Sequence, residues 1–389
     1  MWGGVAWLWI AVGLAPVMAY VAVWAWPGRV WSSRVVPSDV FRLLTGIAFA
    51  GAVHPALGLL AGLSAFWWAA FATDTREQGS QLYRYGTPRL AGGTLWPLVA
   101  MAVWLGREVP PWAFQGVLWI ALGVGVIQVA MGLCQRYGLR RWVLATRGGM
   151  IHGSIGHRTG YGIYLAMLMP LALGMLPGWP GWTLIGVYGV GVVLSDSMVA
   201  ALAVMAGVLW MAPAWWSVAV AFVVLGAVYR FGPNAWQRWQ VPHAHRDWRP
   251  GHGGRWYTLM GVAKPWVGRI ACWKATWPRC WESPQWLIGH GAGAYQLDAR
   301  RWMSRAGLRE VYAEAHNDWL ETLYEYGVLG YVALAWGLWS LWPAMHGGSP
   351  FVGMLIGAGV AMTLNFPLRV APTATLALVA VIALLRELS

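Results

Sequence analysis

The sequence predicts an all-α integral membrane protein: a bundle of about twelve transmembrane helices with one large loop containing short helices. Three observations predict it. Hydrophobic residues make up 58% of the 389 and charged residues 11%, with mean hydropathy +0.51, which excludes a water-soluble globule. The apolar residues gather into tracts close to the ~20 residues that a ~30 Å hydrocarbon core requires. Trp occurs 32 times, and indole rings favour the bilayer interface.

In order, the tracts lie near 2–26, 39–53, 55–73, 90–105, 112–134, 158–176, 180–196, 198–211, 214–230, 327–345, 351–366 and 370–387. The first carries no charge, basic leader or small-residue cleavage site, so it reads as a retained helix rather than a signal peptide. The second and third are separated only by His54-Pro55, where one long bent helix is the alternative and would change the parity. Short tracts such as 198–211 are tolerated inside a bundle. No internal repeat of fixed period is present.

Three regions follow: helices one to nine over 1–230, the large loop over 231–316, and helices ten to twelve over 317–389. The loop holds 17 of the chain's 41 charged residues and is too long and Trp-rich for a connector; loops of that length in compact proteins usually carry function. Gly289, Gly291 and Gly293 predict a tight turn within it. Arg300, Arg301, Arg305 and Arg309, with Glu310 and Glu314, recur at helical spacing and predict an amphipathic surface helix. Cys272 and Cys280 can close a small loop in an oxidising compartment, a pairing that sequence leaves open.

Lysine occurs only at 264 and 274, so the formal charge of +13 is almost wholly arginine. A planar, permanently charged guanidinium matches phosphate oxygens, which points to a pyrophosphate or lipid headgroups at the membrane, not to nucleic acid. At the foot of the tenth apolar tract lies Glu314 to Gly330, "EAHNDWLETLYEYGVLG", which holds four of the chain's 14 acids. Here nine residues separate His316-Asn317 from Gly327, with Gly330 three further on. A neutral imidazole at a helix entrance can take a proton from a hydroxyl, and an adjacent carboxylate, Glu314 or Asp318, can set its tautomer. The structural alternative is an N-cap, Asn317 or Asp318, with Glu321 completing a capping box. The glycine pair suits close helix packing. His243, His245 and His252 with Asp247 have metal-ligand types, but an exposed Arg-rich His-x-His stretch is more often solvated or phosphate-facing.

This His-Asn-x9-Gly-x-x-Gly stretch resembles the signature of the O-antigen ligase superfamily, which includes Wzy-type polymerases and protein O-oligosaccharyltransferases. In "GSIGHRTGYGIYLAMLMPLAL", His157-Arg158-Thr159 takes the place of a family triplet such as Asn-Arg-Asn, keeping its arginine. "RIACWKATWPRCWESPQWLIGHGAGAY" is similar to the family's Arg-x3-Trp element and Gly-x-Gly turn, which places Arg269 on the loop arginine. In "LSDSMVA", Ser197 matches a family Ser-Arg pair, but Met198 stands where its arginine is expected, so either Arg158 supplies the missing charge or the chain handles a different donor.

The resemblance implies a GT-C-like bundle in the bacterial inner membrane, multi-pass, with loop and active site on the periplasmic face. The implied donor is an undecaprenyl-pyrophosphate-linked glycan, and the acceptor hydroxyl belongs to a lipid A core, a protein or a second lipid-linked glycan. His316 is the implied base. Arg269 and Arg158, with Lys264 and Arg255, face the pyrophosphate, and Glu314, Asn317, Asp318, His290 and Asp196 support them. Pyrophosphate is already a good leaving group, so neither metal nor cofactor is required, and the anomeric centre inverts. Polymerase and ligase share this donor and these motifs. A lipid-linked-glycan transporter is the alternative from another class, but the polar chemistry gathers at one face and no repeat symmetry appears.

Overall fold

The computed structural model of the chain describes residues 47–71, 88–137, 151–155, 157–211, 263–291, 293–295, 298–299, 302, 315–345, 348–365 and 367–388. Their regular structure is helical, with no strand among the described residues. The tracts at 2–26 and 214–230, residues 39–46, the histidines from 243 to 252 and the arginines from 300 to 309 lie outside them.

The longer helices are α1 (Pro55–Phe71), α2 (Pro88–Glu108), α3 (Pro111–Arg136), α4 (Arg158–Met175), α5 (Trp179–Ser195), α6 (Met198–Met211), α7 (Ala263–Thr276), α8 (Gln285–Ile288), α9 (Asp318–Leu341), α10 (Pro350–Leu364) and α11 (Ala371–Glu387). Residues 47–53 are also helical, and the helix stops at His54, where Pro55 opens α1. Among the described residues one helix, Pro111–Arg136, is long and apolar enough to cross a membrane, and α5, α6 and α10 are shorter apolar helices. Cys272 and Cys280 are buried, and no disulfide joins them.

The chain divides into two compact units. One comprises Gly106–Lys274, Glu314–Trp319 and Leu341–Ser389. Its centre is α4, buried on every side from Thr159 to Ala172 because its sequence is apolar all round. It packs on α5, α6 and α10. Gly207 of α6 and Gly353 of α10 meet beside Pro170 of α4; a methyl on Gly207 would lie 2.9 Å from the Gly353 carbonyl, so absent side chains set how closely these helices approach. Two glutamines two turns apart on one face of α3 hold the segment leading into α4. Gln135 Oε1 accepts the His152 and Gly153 amides at 3.0 Å each, and Gln128 Oε1 accepts that of Ser154 at 2.9 Å.

The other unit comprises Met1–Leu105, Ala275–Ala313 and Leu320–Ser340. Within it α9 is interrupted at Gly327, whose φ of 62° and ψ of −162° are non-helical. The carbonyls released near the break are taken by the predicted glycine turn: His290 N donates to Tyr324 O and Gly291 N to Glu325 O, each at 2.8 Å. Gly289, Gly291 and Gly293 all have positive φ, as a tight turn requires. A Cβ on Gly327 would stand 2.5 Å from Gly289 N, so Gly327 serves this crossing, not the helix–helix packing expected of it.

Candidate functional site

The site is assembled from helix ends. His157 precedes α4 in extended backbone, and its Nδ1 accepts the Gly160 amide at 3.0 Å, so this imidazole is the N-cap. Arg158, the next residue, reaches Asp196 at the C-terminus of α5, Nη1 to Oδ2 3.5 Å. Asp196 is 5% exposed, and a buried carboxylate is held in place by such pairing.

Arg269 lies on α7, and its Nη1 donates to the carbonyl of Leu364 at 2.6 Å, placing a guanidinium at the negative end of α10. Trp273, four residues on and therefore on the same face, donates Nε1 to the Ala315 carbonyl at 2.7 Å. The Arg-x3-Trp spacing thus fastens the residue before His316 and the end of α10 to one face of one helix. Asp318 completes the frame: its N–H donates to Asn365 O at 3.2 Å, and its Oδ2 accepts the Leu368 amide at 2.9 Å. The Asp318 carboxylate therefore clips the turn after α10, a partner the capping-box reading did not foresee.

His316 is held inside this frame, its Nδ1 3.3 Å from Asn365 Oδ1. Its pKa is pushed down to about 4, by burial first and then by the Arg269 charge; the Asn365 bond opposes the shift and His157 adds to it. His157 is also lowered, by burial and then by Arg158 and Arg269. Both imidazoles are therefore neutral at pH 7, each within the field of Arg269 and His157 also within that of Arg158. Among the described residues, the non-glycine residues with positive φ are His316 (54°) and Asp196 (52°), both in this cluster. Such backbone costs about 1–3 kcal/mol and persists where surrounding contacts over-determine it, as at functional sites.

Arg158, Asp196, Arg269, His316, Asn317 and Asp318 thus belong to one unit. His290 belongs to the other, where its ring stacks on Tyr324 at 4.1 Å and its Nε2 lies 3.1 Å from the Arg279 carbonyl. Lys264 falls in the first turn of α7, while Arg255 and Glu314 lie outside the described residues. Met198 opens α6 behind Ser197, whose Oγ accepts the Ala200 amide at 3.2 Å, so Arg158 brings its charge to a point two residues from Met198.

Sequence reasoning missed Asn365. Its signal was a single amide closing an apolar tract just before Phe366-Pro367. His157 was noticed only as a departure from a triplet. Comparison with known families matches residues 182–335 to the model described as O-antigen ligase, a stretch that contains Asp196, Arg269 and His316. No curated protein and no solved structure matches the chain.

Proposed function

From the premise that the chain is a member of the O-antigen ligase superfamily, we propose that it is a multi-pass membrane glycosyltransferase moving a glycan from an undecaprenyl-pyrophosphate donor to an acceptor hydroxyl. The acceptor oxygen attacks the anomeric carbon as its proton passes to His316. The bond from that carbon to the pyrophosphate oxygen breaks on the opposite face, its electron pair stays with the pyrophosphate, and the centre inverts. Arg269 and Arg158, with Lys264 and Arg255, meet the charge growing on the leaving group; Asn317 and Asp318 support the loop that carries His316.

The observation that carries this reading is His316 itself: neutral at pH 7, in strained backbone, under the influence of Arg269. A base must be unprotonated before it acts, and this one is poised beside the charge that an anionic donor seeks. The donor's own negative charge opposes the Arg269 field, so basicity rises when the donor arrives. Burial in the free protein and activation in the complex are then two states of one device.

The test uses purified protein, lipid-linked glycan and a lipid A core acceptor. His316→Ala is expected to lower transfer about 100-fold or more while donor binding persists. Transfer by His316→Ala at the wild-type rate refutes the base assignment. One glycan added per acceptor marks a ligase, whereas long ladders without acceptor mark a polymerase. Donor moved across proteoliposomes with no covalent product marks a transporter.

A further inference from the structure

The turn between α10 and α11 is tied to the histidine segment at more points than a passive connector needs. Leu364 O is held by Arg269, Asn365 O by the Asp318 amide and the Leu368 amide by the Asp318 carboxylate. Asn365 breaks the helix, with φ −159° and ψ −166°, and is 2% exposed. A primary amide is thus buried at the end of an apolar helix and aimed at one imidazole nitrogen. Its backbone is fixed by Asp318, and its side-chain oxygen is left to address His316.

We propose that Asn365 is a positioning residue, holding His316 as the tautomer protonated on Nδ1 so that Nε2 is the atom that accepts a proton from the acceptor hydroxyl. The inference rests on the base role of His316 proposed above. An amide oxygen only accepts, so the N–H of a neutral imidazole beside it lies on the near nitrogen and the lone pair on the far one. Among the described residues, the charged and titratable groups near this ring include Arg269 from α7, His157 from the cap of α4 and Asp318 from its own segment, with the Arg158–Asp196 pair beyond His157. Asn365 Oδ1 is the acceptor that stands at Nδ1, 3.3 Å away.

Asn365→Asp keeps the shape and adds a negative charge; Asn365→Ala removes the acceptor. Both retain the backbone carbonyl that Asp318 grips. The readout independent of transfer is the pH dependence of His316 labelling by diethyl pyrocarbonate, which reacts with neutral imidazole, followed by mass spectrometry of the peptide. Asn365→Asp is expected to move the labelling midpoint upward by about one pH unit or more. Asn365→Ala is expected to cut kcat about 10- to 100-fold with donor KM within about twofold. Wild-type midpoints in both variants overturn the inference whatever their transfer rates, and leave the base assignment standing. A shifted midpoint alongside a fully active His316→Ala refutes the base assignment, and with it the role given to Asn365.

Discussion

Arg269 acts on its surroundings in two ways that a single substitution separates. Its hydrogen bond to Leu364 O fixes the end of α10, and its charge lowers the pKa of His316. In the proposed reaction the working form of His316 is neutral, so activity would be lost as pH falls through the imidazole pKa. In kcat/KM, which reports the free enzyme, that acid limb is expected near pH 4 in the wild type. Arg269→Gln removes the positive charge, so the imidazole pKa rises and the limb moves to higher pH. It also lowers kcat about 10- to 1,000-fold, because leaving-group charge loses its partner. A pH profile of kcat/KM with the limb unmoved in Arg269→Gln separates the two groups electrostatically and removes this argument. His316, Arg269 and Arg158 were legible in sequence because each is a costly residue in a recognisable spacing. Asn365 was not, because an amide within an apolar tract becomes informative only when folding brings it to a histidine forty-nine residues away in sequence.

Helix positions could be read from hydropathy because apolar length is a physical requirement of each element; α3 to α6, α10 and α11 begin and end within a few residues of the expected tracts. The reason for the Gly-x-x-Gly spacing could not, since a glycine that permits positive φ and one that permits close packing look alike in sequence. Gly289 and Gly327 are both in the left-handed region, and a Cβ on Gly289 would run into the Glu325 carbonyl. Gly289→Ala and Gly327→Ala are each expected to destabilise by about 1–3 kcal/mol, from strained backbone and from the clash. Gly186→Ala, in α5 with nothing within 4 Å of its new methyl, is expected to be neutral or to stabilise by up to about 1 kcal/mol. Thermal unfolding in detergent distinguishes them. Equal melting temperatures for the three variants are incompatible with a crossing that depends on these glycines.

At the scale of the whole helical unit, the polar groups share one end. The C-terminus of α3, reaching residues 152–153 through Gln135, the start of α4 at His157, the end of α5 at Asp196, the end of α10 at Asn365 and the turn before α11 are joined through the contacts of His157, Arg158, Arg269 and His316. At the opposite end, Gly174 of α4 meets Pro350 at the start of α10, and Arg386 of α11 donates to the Gly106 and Val109 carbonyls at 2.7 and 2.6 Å. If these helices span a bilayer, His316 and Arg136 at the C-terminus of α3 lie on one face, and the sequence that follows α3 adds Arg140, Arg141 and Arg147. The positive-inside rule favours placing so many arginines in the cytoplasm, whereas transfer from an exported lipid-linked glycan requires the outer face. In the proposed reaction a ligand accounts for the exception, since arginines drawn to a pyrophosphate would answer to chemistry and not to insertion. Single cysteines in a background lacking Cys134, Cys272 and Cys280 decide it. Tyr137→Cys sits at the polar end and Trp179→Cys at the other, replacing side chains 76% and 78% exposed. In intact cells with a permeabilised outer membrane, an impermeant maleimide is expected to label Tyr137→Cys and to reach Trp179→Cys only after the inner membrane is opened. The reverse pattern places His316 in the cytoplasm, on the wrong side for an exported donor, and the proposed reaction fails with it.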